Sequence, residues 1–519
     1  MAGLTNISNY YHTIRYLKPI QLYYRIFYKI TKFFPKRIFW DENLELDVTS
    51  LKFAESIQFD EIINENSFIF LNKKKDFGES IDWNYLGFGR LWAYNLNYFE
   101  FLHQKEMNAQ RGREIIDSFI EQLDRCKVGL EPYPLSLRCV NWIRFFSKHG
   151  GNSRYNSVLY KQLLLLKKSK EYHIMGNHLL ENGFALLFGA YYFNDKAFYK
   201  EAKGILNSQL REQILDDGGH FELSPMYHSI MLFRLLDSYN LVVNNDLFDK
   251  ELESVLKEKV SKMLSWLILM TFSNGKFPLM NDAAYRISPT TNELNEYASG
   301  LGFSVNRDTL LKDSGYRKLS NKKFELIADI GKVGPDYQPG HAHADTFTFE
   351  LCVNSRPLIV DTGTSTYEIN EERFYQRSTQ AHNTVVVNNA NSSKVWSGHR
   401  VGKRAKVKVI SDTPELLVAS HDGYKTFGTN HKRSFKIDKD VILIIDEISN
   451  EGKAYLHFSP NEDFFIQENE IIGSDFRIEF SDFIDIKCIN TRYAPEFNKT
   501  IINKSVCITF KDKLETLFK

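Results

Sequence analysis

Three stretches of the sequence gather side chains that can hold a charge or move a proton. In GNHLLENG, at 176–183, Asn177, His178 and Glu181 open an otherwise apolar helix. Their three- and four-residue spacings let one helical face present all of them. A plainer reading has Asn177 capping the helix and His178 bonding locally. In DGGHFELSPMYH, at 217–228, a glycine-rich turn carries His220 and Glu222 before a Ser224-Pro225 helix start. Tyr227 and His228 then stand near a helix N-terminus, where the backbone dipole favours a phenolate. A phenol ordinarily ionises near ~10, so a tyrosine base at neutral pH needs such help. With 27 tyrosines in the chain, an isolated one would mean little. In HAHADTFTFEL, at 341–351, a strand would put His341, His343 and Asp345 on one face, with Phe347 and Phe349 continuing it. Downstream, PLIVDTGT ends a strand at Asp361, and STQAHNTVVV sets His382 at the mouth of another. Two imidazoles and a carboxylate from separate strands suit Zn²⁺ or a similar divalent ion, while the long gaps fit satisfied polar residues at strand ends equally well.

The elements that must carry these groups fall into two textures. From about 95 to 270 the apolar residues have helical periodicity, as in Ile115, Ile116, Phe119, Ile120 and Leu123, then in 157–166 and 227–242. After about 320 the pattern alternates: Ala405, Val407 and Val409 between lysines, VILIIDEI at 441–448, and Phe476, Ile478 and Phe480. Helices followed by strands predict an α+β multidomain chain of two sequential domains, with the boundary within 300–322.

Charge narrows the partners. With 66 basic and 65 acidic side chains, the 519-residue chain has no global attraction for nucleic acid, and none is expected. Cys126, Cys139, Cys352, Cys488 and Cys507 show no C-x-x-C spacing, which favours free thiols. The N-terminal stretch lacks the pattern of a secretory signal, and no apolar run approaches a membrane span, so a soluble, cytoplasmic protein is expected. Residues 1–40 nevertheless hold seven cations (Arg15, Lys18, Arg25, Lys29, Lys32, Lys36, Arg37) and no acid. Tyr16, Ile20, Tyr23, Phe27 and Ile30 mark another helical face, so this segment can touch an anionic membrane peripherally. The favoured alternative packs it on its own domain with the basic face in water.

Taken together, GNHLLENG, DGGHFELSPMYH, HAHADTFTFEL with PLIVDTGTSTYE, and RSTQAHNTVVV resemble the heparinase II/III family of polysaccharide lyases. PYPLSLRCVNWIRF at 132–145 and WSGHRVGKRA at 396–405 are also similar, so the resemblance covers most of 85–410. It implies an incomplete (α/α) toroid followed by an antiparallel β-sandwich, here a basic aromatic helical segment at 1–80, a toroid at 81–318 and a sandwich at 319–519. It implies β-elimination at a uronic acid of an acidic polysaccharide or oligosaccharide. In that chemistry a carboxylate is neutralised while a base takes the adjacent, very weakly acidic proton. The resemblance gives Asn177 and His178 to the carboxylate, Tyr227 as base and/or acid, and His341 to proton transfer. Glu181 would orient His178, and Glu222 would support the site. His343, Asp361 and His382 would hold a structural divalent metal ion, zinc, and Arg138 and Asn141 would touch substrate. A role in bacterial polysaccharide assembly or turnover is expected. Two other readings stay open at this point: a glycoside hydrolase using Glu181 and Glu222, which needs carboxyls ~5–10 Å apart, and a non-catalytic carbohydrate-binding protein of an export complex.

Overall fold

The computed structural model describes residues 2–31, 40, 42–60, 62–306 and 309–519, with side chains from residue 8 onward. Lys32, Lys36 and Arg37 of the basic segment lie outside the described residues. The chain opens with two helices, α1 (Ala2–Ile14) and α2 (Pro19–Thr31). An extended stretch follows, and then a three-stranded meander of β1 (Ile63–Asn64), β2 (Ser67–Phe70) and β3 (Lys73–Asp76). The 1–80 segment is therefore not helical throughout. Leu71 and Asn72 both take positive φ (54° and 59°), the conformation a two-residue hairpin turn demands, and Phe68 and Phe70 point from one face of β2 into the core.

Among the described residues, nine helices form the toroid: α3 (Arg90–Tyr98), α4 (Ala109–Gln122), α5 (Pro132–His149), α6 (Ser153–Ser169), α7 (Gly176–Tyr192), α8 (Lys196–Gln213), α9 (Pro225–Asn244), α10 (Glu251–Leu269) and α11 (Thr291–Gly300). Ile115, Ile116, Phe119 and Ile120 line the buried stripe of α4, as their spacing requires. In α7 and α9 nearly every residue is buried, because these helices are covered on all sides. Trp83, Trp92, Trp142 and Trp266 belong to the same continuous core.

The second half is two antiparallel sheets. The smaller comprises β4 (Tyr316–Ser320), β5 (Phe324–Asp329), β6 (Phe349–Val353) and β7 (Arg356–Ile359), paired in that order. A short α12 (Glu371–Gln376) follows, then β8 (Val385–Val387) and the hairpin of β9 (Val395–Trp396) and β10 (Arg400–Val401). The larger sheet runs through β11 (Val407–Asp412), β12 (Leu416–His421), β13 (His431–Ile437), β14 (Ile442–His457), β15 (Phe464–Gln467), β16 (Glu470–Gly473), β17 (Arg477–Glu496) and β18 (Lys499–Phe518), with β8 added beside β14. Leu326, Phe349 and Leu351 of one sheet share a core with Phe435, Ile444, Ile508 and Phe510 of the other, which makes the pair a sandwich. In 405–409 the alternation marks an edge: Val409 faces water.

Residues 341–348, expected as strand, form a turn-rich loop, and β6 starts only at Phe349. Phe347 takes φ 71°, and Thr348 N–H closes a turn onto Asp345 O at 2.7 Å, so strict alternation cannot run through this stretch.

The N-terminal helices bridge both halves and do not rest on the toroid alone. Thr13 Oγ1 donates to Val401 O, and Tyr10 stacks edge-on against Trp396 at 5.0 Å. On the other side Gln21 Nε2 donates to Ile174 O at 3.0 Å, and Tyr24 stacks on Tyr172 at 4.8 Å. Among the described residues, no helix is long and apolar enough to cross a membrane.

The turn at 215–219 joins the halves. Asp217 Oδ2 accepts from Lys312 N, Ser314 N and Ser314 Oγ at 2.7–3.0 Å, tying the interdomain connection to the loop that carries His220 and Glu222. Gly218 sits there at φ 91°, and a Cβ would lie 2.2 Å from Lys262 O. Gly218→Ala should cost roughly 2–4 kcal/mol and lower the unfolding midpoint in calorimetry. Gly204→Ala, at an open helical position, should leave the midpoint unchanged or raised. Equal midpoints for Gly218→Ala and wild type would refute this account of the turn.

Candidate active site

The site lies where helix starts of the toroid meet loops of the sandwich. Met175, at φ 64°, turns the chain into α7 and places Asn177 and His178 in its first turn. Asn177 N–H donates to Glu222 Oε1 at 3.1 Å, and its amide oxygen is buried without a protein partner. His178 Nδ1 lies 3.0 Å from Glu171 Oε1, and its ring packs 4.5 Å from that of Tyr133. Burial pushes the His178 imidazole down, but the charge and hydrogen bond of Glu171, with Glu222 and Glu181 behind, outweigh it and leave the pKa above the ordinary histidine value.

Ser224 caps α9 by accepting from Tyr227 N–H at 3.3 Å, as the Ser-Pro start predicts. Tyr227 OH meets Tyr367 OH at 3.1 Å, and the Tyr227 ring lies 3.9 Å from the His341 ring. The dipole does not dominate here: desolvation, reinforced by Tyr367, Asp282 and Glu222, holds the Tyr227 phenol well above its ordinary pKa. The resting group is a neutral phenol.

His341 links the sandwich to this array. Its Nε2 is 3.5 Å from Glu222 Oε2, and its Nδ1 is 3.0 Å from Asp282 Oδ2. Asp282, in the loop between α10 and α11, also receives His343 Nε2 at 2.8 Å and both terminal nitrogens of Arg373 from α12. Burial raises the pKa of this carboxyl, but Arg373 and the two histidines overcome that and hold it well below the usual range. As an ionised acceptor, Asp282 fixes the Nδ1–H tautomer of His341 and leaves Nε2 toward Glu222.

The structure thus brings Asn177, His178, Glu222, Tyr227 and His341 into one chain of contacts. Glu181 does not orient His178. It is fully buried against Arg234 Nε at 3.3 Å, and Glu171 takes its expected place. Arg138 and Asn141 do not face a cleft either. Arg138 is fully buried on Gln162 Oε1, Gly129 O and the Phe119 ring, and Asn141 Nδ2 donates to Tyr98 O at 2.8 Å. They brace the α3–α5 contact. Glu171, Asp282, Tyr367, Arg373 and Tyr133 were not singled out by sequence, although Tyr133 and Tyr367 lie within the stretches that carried the resemblance.

Two groupings have the chemistry of a metal site. Asp282, His341 and His399 bring ligand atoms within 4.8 Å of one another and could hold an ion. The Asp282 carboxylate there already serves Arg373 and two histidines. His343 and His382 are fully buried, with ring centroids 5.3 Å apart. His343 donates Nε2–H to Asp282, and His382 Nδ1 lies 2.7 Å from Asp361 Oδ2. His343 Nδ1, His382 Nε2 and Asp345 Oδ2 are left buried without partners. Two free imidazole nitrogens among carboxylates fit a divalent cation.

Comparison with known proteins follows the same division. Residues 157–308 match the description Heparinase II/III N-terminus, and residues 305–516 match Heparinase II/III-like, C-terminal. The chain belongs to the heparinase II/III family. A heparin-sulfate lyase of Bacteroides stercoris is 26% identical over 318 residues, covering 55% of this chain and 46% of the relative. One from Pedobacter heparinus is 25% identical over 326 residues, covering 57% and 48%. This heparinase II/III chain thus spans about half the length of the curated relatives it matches. The crystal structure of a heparinase III superposes with a TM-score of 0.68 at 18% identity, covering 85% of this chain and 79% of that one, so the toroid-plus-sandwich fold is shared.

The His178–Glu171 pair gives a test. Its raised pKa means that the pair's contribution to stability is full below the ordinary histidine value and is lost as pH rises through the folded one. Glu171→Gln should lower the His178 pKa in an NMR titration and flatten that pH dependence, whereas an unchanged titration would contradict the assignment.

Proposed function

We propose that this protein is a polysaccharide lyase that cleaves a uronic-acid-containing polysaccharide or oligosaccharide by β-elimination. One observation carries the reading: a phenol, an imidazole and an imidazole–amide pair, drawn from both domains, meet in one chain of contacts. The family membership and the lyase names of the relatives support it.

The C5 proton of a uronate becomes removable only when the attached carboxylate is neutralised. His178, whose pKa the Glu171 carboxylate raises, and the partner-free Asn177 amide are the groups for that task. Tyr227 is a neutral phenol at rest, so it is ready to protonate the departing 4-oxygen. Acting first as base, it needs its proton withdrawn as substrate excludes water; the His341 ring beside it can take that proton, while Tyr367 OH, a neutral phenol, supplies only a hydrogen bond. Glu222 holds the Asn177 backbone and faces His341, coupling the two walls.

The finer metal assignment belongs to the same reading. His343, Asp361 and His382 would hold a zinc ion in a structural role, securing the 341–348 and 361–382 loops that edge the site. We place the reaction in bacterial polysaccharide metabolism or assembly, on the cytoplasmic side.

Incubation with uronate polymers should yield an unsaturated product with a new ultraviolet absorbance, and Tyr227→Phe should reduce its rate by roughly 10²–10⁴-fold while sugar binding persists. Saturated reducing ends would instead indicate hydrolysis. Binding that Tyr227→Phe leaves intact, with no product on any polymer, would indicate a binding protein. For the metal, His382→Ala should lose zinc in elemental analysis of the purified protein and lower the unfolding midpoint. Wild-type protein free of divalent metal would refute that assignment.

A further inference from the structure

The N-terminal arm packs opposite to the expectation that its apolar side would be covered. Helix residues advance by about 100° each. Gln21, Tyr24 and Tyr28 therefore share one side of α2, and these are the residues that meet the toroid at 170–174. The opposite side carries Leu22, Tyr23, Ile26, Phe27 and Ile30 into water, with Tyr23, Ile26 and Ile30 exposed to 61%, 62% and 56%. An apolar stripe on the outer face of a docked helix is costly to leave wet, and isolated surface hydrophobics do not line up in this way.

The charge around the stripe has one sign. Arg25 and Lys29 run along its edge at i, i+4, and Arg15, Arg400 and Lys403 lie in the same region. Burial and then the charge of Arg400 lower the Arg25 pKa, and burial followed by Arg15 and Lys403 lowers that of His12, so these cations act on neighbouring groups without neutralisation. None of the five makes an ion pair among the described residues. The nearest acids are spent elsewhere: Glu212 on Lys18, Glu201 on Lys170 and Glu171 on His178.

We propose that the outer face of α2 docks on an anionic lipid bilayer, with Leu22, Ile26 and Ile30 entering the acyl boundary and Arg25, Lys29 and Arg400 meeting headgroup phosphates. Apolar area and cationic charge together give the two signals that interfacial binding requires. An acidic polysaccharide would answer the cations and stack on Tyr23 and Phe27, but it offers no apolar phase to the aliphatic Leu22, Ile26 and Ile30. The inference is independent of the lyase reading, since none of these residues belongs to the candidate active site.

The test is cosedimentation of the full chain with vesicles of phosphatidylcholine alone or mixed with phosphatidylglycerol. Binding should require the anionic lipid and decline with salt. Ile26→Gln/Ile30→Gln, which keeps the charge and changes only exposed positions, should weaken partition roughly tenfold or more at an unchanged unfolding midpoint. Lys29→Glu should weaken it as well. The proposal is overturned if wild-type protein stays in solution with anionic vesicles or if the double variant binds equally. It is also overturned if sedimentation equilibrium finds a dimer that the double variant dissolves, which would give the face to a second copy of the chain.

Discussion

A single buried carboxylate, that of Asp282, holds the two domains in working relation. It arrives from a toroid loop, and everything that meets it through a charged or imidazole group comes from the sandwich side: Arg373, His341 and His343. Because none of Asp282, Arg373 and His343 is exposed, neither charge has water to fall back on. Removing one partner of such a buried pair typically costs about 3–5 kcal/mol, mostly for stranding the other. The same carboxylate sets the tautomer of His341 and leaves one nitrogen of His343 with a free lone pair. Candidate proton transfer and candidate metal binding are therefore both oriented by one interdomain ion pair.

Much of this was legible in the sequence, because periodicity reports burial where an element has one covered side. The stripe of α4 and the first parts of β14 and β17 follow from it, while the start of α9 follows from the capping chemistry of Ser224-Pro225. Elements covered on every side defeat the method. The resemblance gave Arg138 and Asn141 on α5 to substrate, but α5 is enclosed, and these polar groups serve backbone carbonyls and Gln162 within the protein. The alternation of His341, Ala342, His343 and Ala344 imitates a strand, yet the positive φ at Phe347 shows a loop bent to satisfy its own buried groups.

The partners that sequence did not reveal share a property: each becomes meaningful only across a long separation in the chain. Asp282 sits in an unremarked NDAAY stretch, Glu171 among lysines, and Arg373 in a helix that reads as a charged surface segment. Nothing local distinguishes them from solvated residues. The three motif stretches, by contrast, concentrate unusual residues within a few positions, and the structure brings all three into one chain of contacts.

The placement of the N-terminal arm has a consequence for how the molecule is made. Thr13 bonds to Val401 across 388 positions, and Gln21 to Ile174 across 153. The arm leaves the ribosome before either surface it rests on exists, so α2 must await residues 170–174 and α1 must await the β9–β10 hairpin. Contacts of such span form late and slowly. Until then the nascent chain leaves Gln21, Tyr24 and Tyr28 uncovered as well as the stripe that stays in water after folding.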